Sequence, residues 1–402
     1  MLHLHNLAPA GRTGLSRDPM NILVWQWGRL GAGPRFAALL ADGLAAVPGV
    51  AVTLSLACGA EILGCDPPPR CDLPVETYNG IFGYAWRLAT APFAVSGLAH
   101  RIAALRPDIA VCALTGPLDL LMAAALRRLG IPFIVLVHDA DAHPGDGFPL
   151  QMRLQRALCR RAIAVAALSA HVGARLQHQR LAGRHGRPLI RLTHPPMPFA
   201  AAPQPDRREG GVRLLAFGRL LPYKGMDLLA ASLQRLGPPP GLLVRVVGSG
   251  PESAALAALR ALPGVVVENR WVPEAEVGAL LGWADAVVLP YREASQSGVA
   301  AAALAAGRQV IATNVGGLAE QLGAEPLAIL CAPQADSLAA GLAEGLRRVP
   351  GLRAAPPVMP PEGVPAAWQA LGALLVEQAQ ALLCADAPVQ AAGPLRRRAA
   401  PI

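Results

Sequence analysis

The stretch Val212–Leu233, which reads VRLLAFGRLLPYKGMDLLAASL, joins two structural patterns through a loop that carries two cations. Its first six residues form an apolar, strand-like run, and from Met226 the apolar residues have helical spacing. Arg219 and Lys224 therefore lie between a strand and a helix, where ligands bind in open α/β sheets. Lys224 is the only lysine in a chain with 35 arginines. A compact ammonium on a flexible stem suits a phosphate oxygen in a narrow cleft; a surface lysine retained by chance is the alternative.

The same alternation of apolar runs and amphipathic stretches continues through both halves of the chain, as in parallel sheets covered by helices. In the first half the predicted strands are Asn21–Trp27, Val50–Ala57, Asp108–Ala113, Pro132–Val137, Ala162–Leu168 and Leu189–Leu192. In the second half they are Val212–Phe217, Leu242–Val247, Val265–Asn269, Ala286–Pro290, Gln309–Thr313 and Leu327–Cys331. This order predicts an α/β protein with two Rossmann-like domains that face each other across a cleft.

Composition gives the expected boundaries of these domains. We expect an N-terminal domain over 20–195 and a C-terminal domain over 212–350, separated by a Pro- and charge-rich linker over 196–211. A Pro-rich segment and a last amphipathic helix occupy 351–384. The remaining segments, 1–19 and 385–402, are predicted to be disordered.

The bulk properties favour a cytoplasmic protein. Hydrophobic residues make up 53% of the chain, yet no run of about 18 uninterrupted apolar residues occurs. The first nineteen residues lack the apolar core of a signal peptide, and Met20, directly before a strand-like run, is an alternative start of translation to Met1. The seven cysteines form no Cys-x-x-Cys pair, which favours free thiols in a reducing compartment over disulfides or zinc.

Charge is divided unequally between the two halves. Residues 20–195 hold 17 arginines against 10 acidic residues (+7), whereas residues 196–384 hold 14 basic against 15 acidic residues (−1). A basic N-terminal half suggests an anionic partner, such as a phosphorylated lipid or peripheral contact with the inner face of the plasma membrane. Arginine enrichment from codon bias is the alternative. Aromatic residues are only 4% of the chain and no nucleic-acid motif appears, so nucleic acid is not an expected partner.

Four more strand-to-helix turns follow the first loop within about a hundred residues. They contain Gly248-Ser249-Gly250-Pro251, Trp271-Val272-Pro273, Ser297-Gly298-Val299 and Gly316-Gly317. Glycines allow close approach of backbone to a ligand, and free N–H groups at a helix start hold an anion. Each turn alone is weak evidence, but their common arrangement indicates one ligand site.

Taken in this order and spacing, Gly218-Arg219…Lys224-Gly225 and the four turns resemble the family-4 (group 1) retaining glycosyltransferases of the GT-B fold. The resemblance implies that Arg219 and Lys224 neutralise a nucleotide diphosphate and that the Ser297–Gly298 turn gives it backbone N–H groups. Gly218, Gly248, Gly250, Trp271, Val272 and Val299 are implied to border the donor. It also implies that the last helix crosses back onto the first domain.

In the N-terminal half the resemblance is weaker. It rests on the glycine loop Gly28–Gly33 and on His138 after its strand. Gly31 and Gly33 are expected near the sugar or acceptor; the alternative is that the glycines serve only close helix–strand packing. His138 either faces the sugar or caps a turn. Asp139-x-Asp141 can be read as a metal-binding pair. The diphosphate clamp makes a metal unnecessary, so we expect no metal and no cofactor besides the donor substrate.

One departure from the family pattern concerns its paired glutamates. Glu293 is a candidate for the first, with a catalytic role, but Ala301 stands where the second, a common ribose contact, is expected. The leading hypothesis is a hexosyltransferase-like enzyme that uses a nucleotide sugar and a glycan or lipid-linked acceptor in envelope glycolipid or polysaccharide synthesis. The alternatives are a nucleotide-sugar epimerase of the same fold and a catalytically silent nucleotide-binding protein.

Overall fold

A computed structural model of the chain describes residues 19–143, 145, 150–199, 211–237, 239–354 and 363–386. The expected disordered segments therefore lie outside the described residues except at their inner ends, as does most of the expected linker.

Two six-stranded parallel sheets form the framework. The first sheet has the order β2-β1-β3-β4-β5-β6, with strands β1 Met20–Gln26, β2 Val50–Leu56, β3 Ile109–Ala113, β4 Phe133–Val137, β5 Ala164–Ala167 and β6 Leu189–Arg191. The second has the order β12-β11-β10-β7-β8-β9, with β7 Arg213–Phe217, β8 Leu243–Gly248, β9 Val265–Asn269, β10 Ala286–Leu289, β11 Gln309–Thr313 and β12 Ala328–Cys331. All twelve strands were predicted to within two residues at each end.

Helices connect the strands and cover both faces of each sheet. In the first half they are α1 Ala32–Ala45, α2 Gly80–Ala89, α3 Ala91–Leu105, α4 Asp119–Arg128, α5 Gln151–Cys159 and α6 Ala170–His178. In the second half they are α7 Met226–Leu236, α8 Ala254–Arg260, α9 Glu274–Trp283, α10 Gly298–Ala305, α11 Leu318–Leu322 and α12 Ala335–Ala354. The central strands β3, β4 and β5 are buried throughout, as expected for parallel strands covered on both faces.

The last helix, α13 Gly363–Asp386, follows the second domain but packs on α1 of the first domain. Two glycines permit this contact, because a Cβ on Gly43 would lie 2.4 Å from the carbonyl oxygen of Trp368, and one on Gly372 would lie 2.7 Å from that of Gly43. The Trp368 ring meets Phe36 edge to face at 5.1 Å between centroids. The crossing helix that the resemblance implied is thus present.

The loop glycines of the second domain hold its turns together. A Cβ on Gly248 would lie 1.6 Å from the carbonyl oxygen of Gly218, and one on Gly225 would lie 1.8 Å from that of Pro290. Gly225 also has a φ of +66°, which favours glycine. The loops after β7, β8 and β10 therefore pack backbone to backbone.

We expect Gly248→Ala to lower the free energy of unfolding by about 1–3 kcal/mol, the usual cost of overpacking. The matched control is Gly97→Ala in α3, where a Cβ meets nothing within 4 Å. That control should leave stability unchanged or raise it by up to about 1 kcal/mol, because alanine is the better helix former. Urea unfolding of both variants makes the comparison; equal stabilities would contradict the packing argument.

Candidate functional site

A cavity of about 550 Å³ lies between the two domains, at the ends of strands from both sheets. The first domain contributes the loop after β1 and the residues after β3 and β4. The second contributes the loops after β7, β8 and β9 and the start of α10. Parallel strands bring their carboxyl ends to one edge, which explains why distant loops meet here.

Two cations from the loop after β7 line this cavity. Lys224 ends a short 3₁₀ turn, and its Nζ lies 3.7 Å from the centroid of the Tyr291 ring. Within the part of the chain that the structure describes, no carboxylate lies within 4 Å of this ammonium. Arg219 donates from Nη2 to the Tyr223 hydroxyl at 3.1 Å. The ammonium therefore lies against an aromatic ring rather than a described carboxylate, which suits binding of an anion.

The start of α10 forms the neighbouring wall, with Ser297, Gly298 and Val299 all lining the cavity. Ser297 caps the helix, because its Oγ accepts a hydrogen bond from the Ala300 backbone N–H at 3.2 Å. Gln321 fixes the same turn through hydrogen bonds to the Ser297 backbone at 2.8 and 3.1 Å. The first turn of a helix presents unpaired N–H groups, so this wall suits an anion.

Trp271 and Val272, in the loop after β9, also line the cavity. Trp271 is 42% exposed, and its Nε1 approaches Glu61 of the first domain at 3.5 Å. Glu61 also accepts from the Glu274 backbone N–H at 3.1 Å, while the Glu274 carboxylate pairs with Arg35 of the first domain. Burial raises the pKa of Glu274, with Arg35 opposing that shift. These contacts hold the two domains together beside an aromatic wall.

On the first-domain side, His138 and His143 share the carboxylate of Asp139. The two Nε2 atoms lie 3.0 and 3.2 Å from its two oxygens. Burial alone would raise the pKa of Asp139, but the charge of His138 and the hydrogen bonds from both imidazoles hold it well below its ordinary value. Burial opposes protonation of His138, and Asp139 outweighs it and raises the pKa of that imidazole. The pKa of His143 is raised chiefly by its hydrogen bond to Asp139.

This cluster predicts a pH dependence of stability. A raised pKa in the folded state gives stability that is complete below the unfolded histidine value of about 6.5 and is lost as the pH rises through the folded value. Asp139→Asn removes the cause of the shift. We therefore expect the stability difference between the wild type and Asp139→Asn to shrink as the pH rises above about 6.5. Urea unfolding across this pH range measures the difference, and a constant difference would contradict the coupling.

Asp139 and Asp141 do not face a common point. The Asp141 carboxylate accepts from Arg175 Nε at 2.7 Å and from Gln179 Nε2 at 2.9 Å, and it does not line the cavity. Among the described residues, no group of three or more His, Cys, Asp or Glu side chains is arranged to hold a metal ion. The two carboxylates of the Asp-x-Asp pair thus have separate partners.

The glycine loop after β1 wraps around a buried amide. Gln26 is 6% exposed, and its Oε1 accepts from the Gly28 backbone N–H at 2.9 Å. A Cβ on Gly33 would lie 2.6 Å from Gln26 Nε2. Gly31, with a φ of +80°, is the N-cap residue of α1, and both Gly31 and Gly33 line the cavity.

Most residues singled out in the sequence meet at this one cavity. They are Arg219, Lys224, His138, Gly31, Gly33, Gly218, Gly248, Trp271, Val272, Ser297, Gly298 and Val299. Gly250 does not line it; a Cβ there would lie 2.3 Å from the Leu220 carbonyl oxygen, so its glycine serves loop packing. Glu293 is also outside the lining, with a side chain 60% exposed and a carboxylate 3.6 Å from His143 Nδ1.

Several lining residues have no sequence signal of their own. Glu61 and Thr115 line the cavity, yet neither belongs to a recognisable motif; Glu274, which also lines it, directly follows the Trp271-Val272-Pro273 turn. Gln26 is different, because a lone amide at the end of an apolar strand could have been singled out as a buried polar group.

Comparisons with known proteins identify both halves of the chain with glycosyl transferase family models. Residues 31–187 match a model described as a glycosyl transferase 4-like domain, and residues 211–348 match one described as glycosyl transferases group 1. The chain is 40% identical over 121 residues to the D-inositol 3-phosphate glycosyltransferase of Jonesia denitrificans, which covers 27% of this chain and 28% of that protein. It is 36% identical over 156 residues to a Mycobacterium tuberculosis glycogen synthase, or 38% of this chain and 36% of that protein. The matched regions thus span well under half of either relative.

A solved structure of Anabaena HepE, in complex with UDP and glucose, superposes with a TM-score of 0.60 at 17% identity. The superposition covers 91% of this chain and 100% of that one. The predicted two-domain fold is thereby confirmed.

Proposed function

Because the chain belongs to the group 1 glycosyltransferase family, we propose that it transfers a sugar from a nucleotide-diphosphate sugar to an acceptor, with retention at the anomeric carbon. The observation that carries the proposal is the interdomain cavity, which is lined by Arg219, Lys224 and the start of α10 from the second domain and by His138 from the first. Two cations and a helix N-terminus suit the diphosphate. The Trp271 end then receives the nucleoside.

Each carboxylate that lines the cavity already has partners, so the retention proposed here involves no covalent sugar–enzyme intermediate. Asp139 is held by two imidazoles, Glu274 by Arg35, and Glu61 by the Glu274 backbone N–H. We therefore assign no nucleophile to them. The bond between the anomeric carbon and the diphosphate oxygen breaks while the acceptor oxygen bonds to the same face. The acceptor proton passes to the departing diphosphate, whose negative charge Arg219 and Lys224 stabilise.

Donor hydrolysis without an acceptor tests the stereochemistry. Proton NMR of the sugar released in the first minutes should show the anomer of the donor, because water then takes the place of the acceptor on the same face. The opposite anomer as the first product would contradict retention but not the use of a nucleotide-diphosphate sugar as donor.

We expect activity to survive exhaustive treatment with EDTA. Lys224, Arg219 and the α10 turn supply the positive potential that a divalent ion provides in other sites. Nucleotide release before and after chelation measures this. Loss of activity that manganese restores would contradict it and would favour the metal-binding interpretation of Asp139 and Asp141.

The acceptor should bind on the first-domain side, between the glycine loop and His138. The +7 charge of residues 20–195 favours an anionic, lipid-linked or glycan acceptor in cytoplasmic steps of envelope glycolipid or polysaccharide synthesis. Organic extraction of the radiolabelled product separates the two acceptor classes, since only a lipid-linked product enters the organic phase.

A further inference from the structure

Helix α2 has an unusual surface, because none of its ten residues is buried. Its large apolar side chains point outward: Ile81 is 77% exposed, Phe82 89% and Trp86 70%. Phe93, in the first turn of α3, is 82% exposed. These four residues are called the apolar patch below. A soluble monomer rarely leaves so many large apolar groups together in water, so the patch points to a partner surface.

The charged side chains around the patch favour an anionic partner. Between residues 80 and 99 the only charged side chain is Arg87, which donates to the Thr77 carbonyl at 3.0 Å and pairs with Glu76. Across α2–α5, which pack side by side in sequence order, six arginines stand against one acidic residue, Asp119, and that residue is 1% exposed. An apolar patch on a helix layer with six arginines and no exposed acidic side chain within its helices matches an anionic bilayer.

Length and composition agree with a surface-lying rather than a spanning element. Among the described residues no single helix is long and apolar enough to cross a bilayer, and α2 with α3 reaches that composition only as a pair bent by 76°. A bent pair with its aromatic side chains on the outside suits the boundary between headgroups and acyl chains.

The patch is also connected to the cavity. Arg29 donates to the Tyr78 carbonyl at 3.2 Å and hydrogen-bonds Asn79, directly before α2. The next residue, Leu30, is 60% exposed and lines the cavity beside Gly31. A bilayer bound at the patch would therefore lie near the glycine loop.

We propose that the apolar patch docks this protein on an anionic membrane surface, with the aromatic side chains entering the interface. Docking requires neither donor nor acceptor. It is therefore measured independently of sugar transfer, and a failure of one proposal leaves the other standing.

The test is sedimentation of the full chain with vesicles of phosphatidylcholine, with and without phosphatidylglycerol. The wild type should partition onto the anionic vesicles, and more weakly as salt rises. The triple substitution Phe82→Ser, Trp86→Ser and Phe93→Ser should lower partitioning at least about tenfold. The matched control is Val266→Ser, an exposed apolar residue of the second domain at 55%, which should bind like the wild type.

Brominated lipids add a positional readout. They should quench tryptophan fluorescence of the bound wild type, and Trp86→Phe should remove that quenching while binding remains. Equal partitioning of wild type and triple variant would overturn the proposal, as would quenching unchanged in Trp86→Phe. The proposal would also be overturned, in favour of self-association, if the wild type did not bind vesicles but formed a dimer that the triple substitution dissociates.

Discussion

Lys224→Ala should lower turnover by about 100- to 1000-fold while the protein folds normally. The ammonium lies over the Tyr291 ring in the cavity, and no described carboxylate lies within 4 Å of it. Its removal therefore leaves no buried anion unpaired, so stability should change little. Loss of the ammonium should instead raise the free energy of the transition state, in which the diphosphate gains negative charge as the sugar departs. Rates of nucleotide release and a thermal unfolding curve measure the two effects.

Arg219→Ala should cause a loss of similar size, since Arg219 faces the same cavity. Arg260→Ala is the matched control, because this arginine pairs with Glu252 on the surface and does not line the cavity. It should keep wild-type turnover. Wild-type turnover in a folded Lys224→Ala protein would contradict the proposal that Lys224 stabilises the diphosphate.

His138→Ala is expected to lower kcat/KM by about 100-fold with little effect on binding of the nucleoside diphosphate. Its Nε2 is held by Asp139 at 3.0 Å, and Nδ1 has no hydrogen-bond partner among the described residues. Since Asp139 raises the pKa of this imidazole, both nitrogens act as donors when the ring is protonated. Nδ1 itself is buried, but the ring lines the cavity with its side chain 32% exposed, so we expect the charge of the protonated imidazole to act on the transferred sugar.

Calorimetric titration with the nucleoside diphosphate separates this role from that of Lys224. Lys224→Ala should weaken diphosphate binding, whereas His138→Ala should leave it unchanged. Weaker binding in both variants would contradict a sugar-side position for His138 and would place it with the diphosphate instead.

The framework could be predicted because each strand is a short apolar run bounded by Gly, Pro or charged residues. β9 and β11 coincide with the predicted spans Val265–Asn269 and Gln309–Thr313. The loop of Arg219 and Lys224 could be predicted because it follows one of these strands. The carboxyl ends of parallel strands lie at one edge of the sheet, where ligands bind.

Contacts between distant segments could not be predicted in this way. The pairing of Arg35 with Glu274, and of Asp141 with Arg175, depends on how helices pack, which no local pattern contains. The role of Gly250 could not be predicted either. Its loop motif suggests contact with a ligand, but the position that a Cβ would occupy lies against the Leu220 carbonyl oxygen. The apolar residues of α2 were equally hidden, because a helical apolar face normally indicates a buried helix.

The most direct measurement is nucleotide release from a panel of nucleotide-diphosphate sugars, with the wild type and Lys224→Ala side by side. We expect the wild type to release nucleoside diphosphate from at least one donor, at a rate that Lys224→Ala lowers at least about 100-fold. Recovery of an epimerised donor, or nucleotide binding without release from any donor, would contradict a glycosyltransferase.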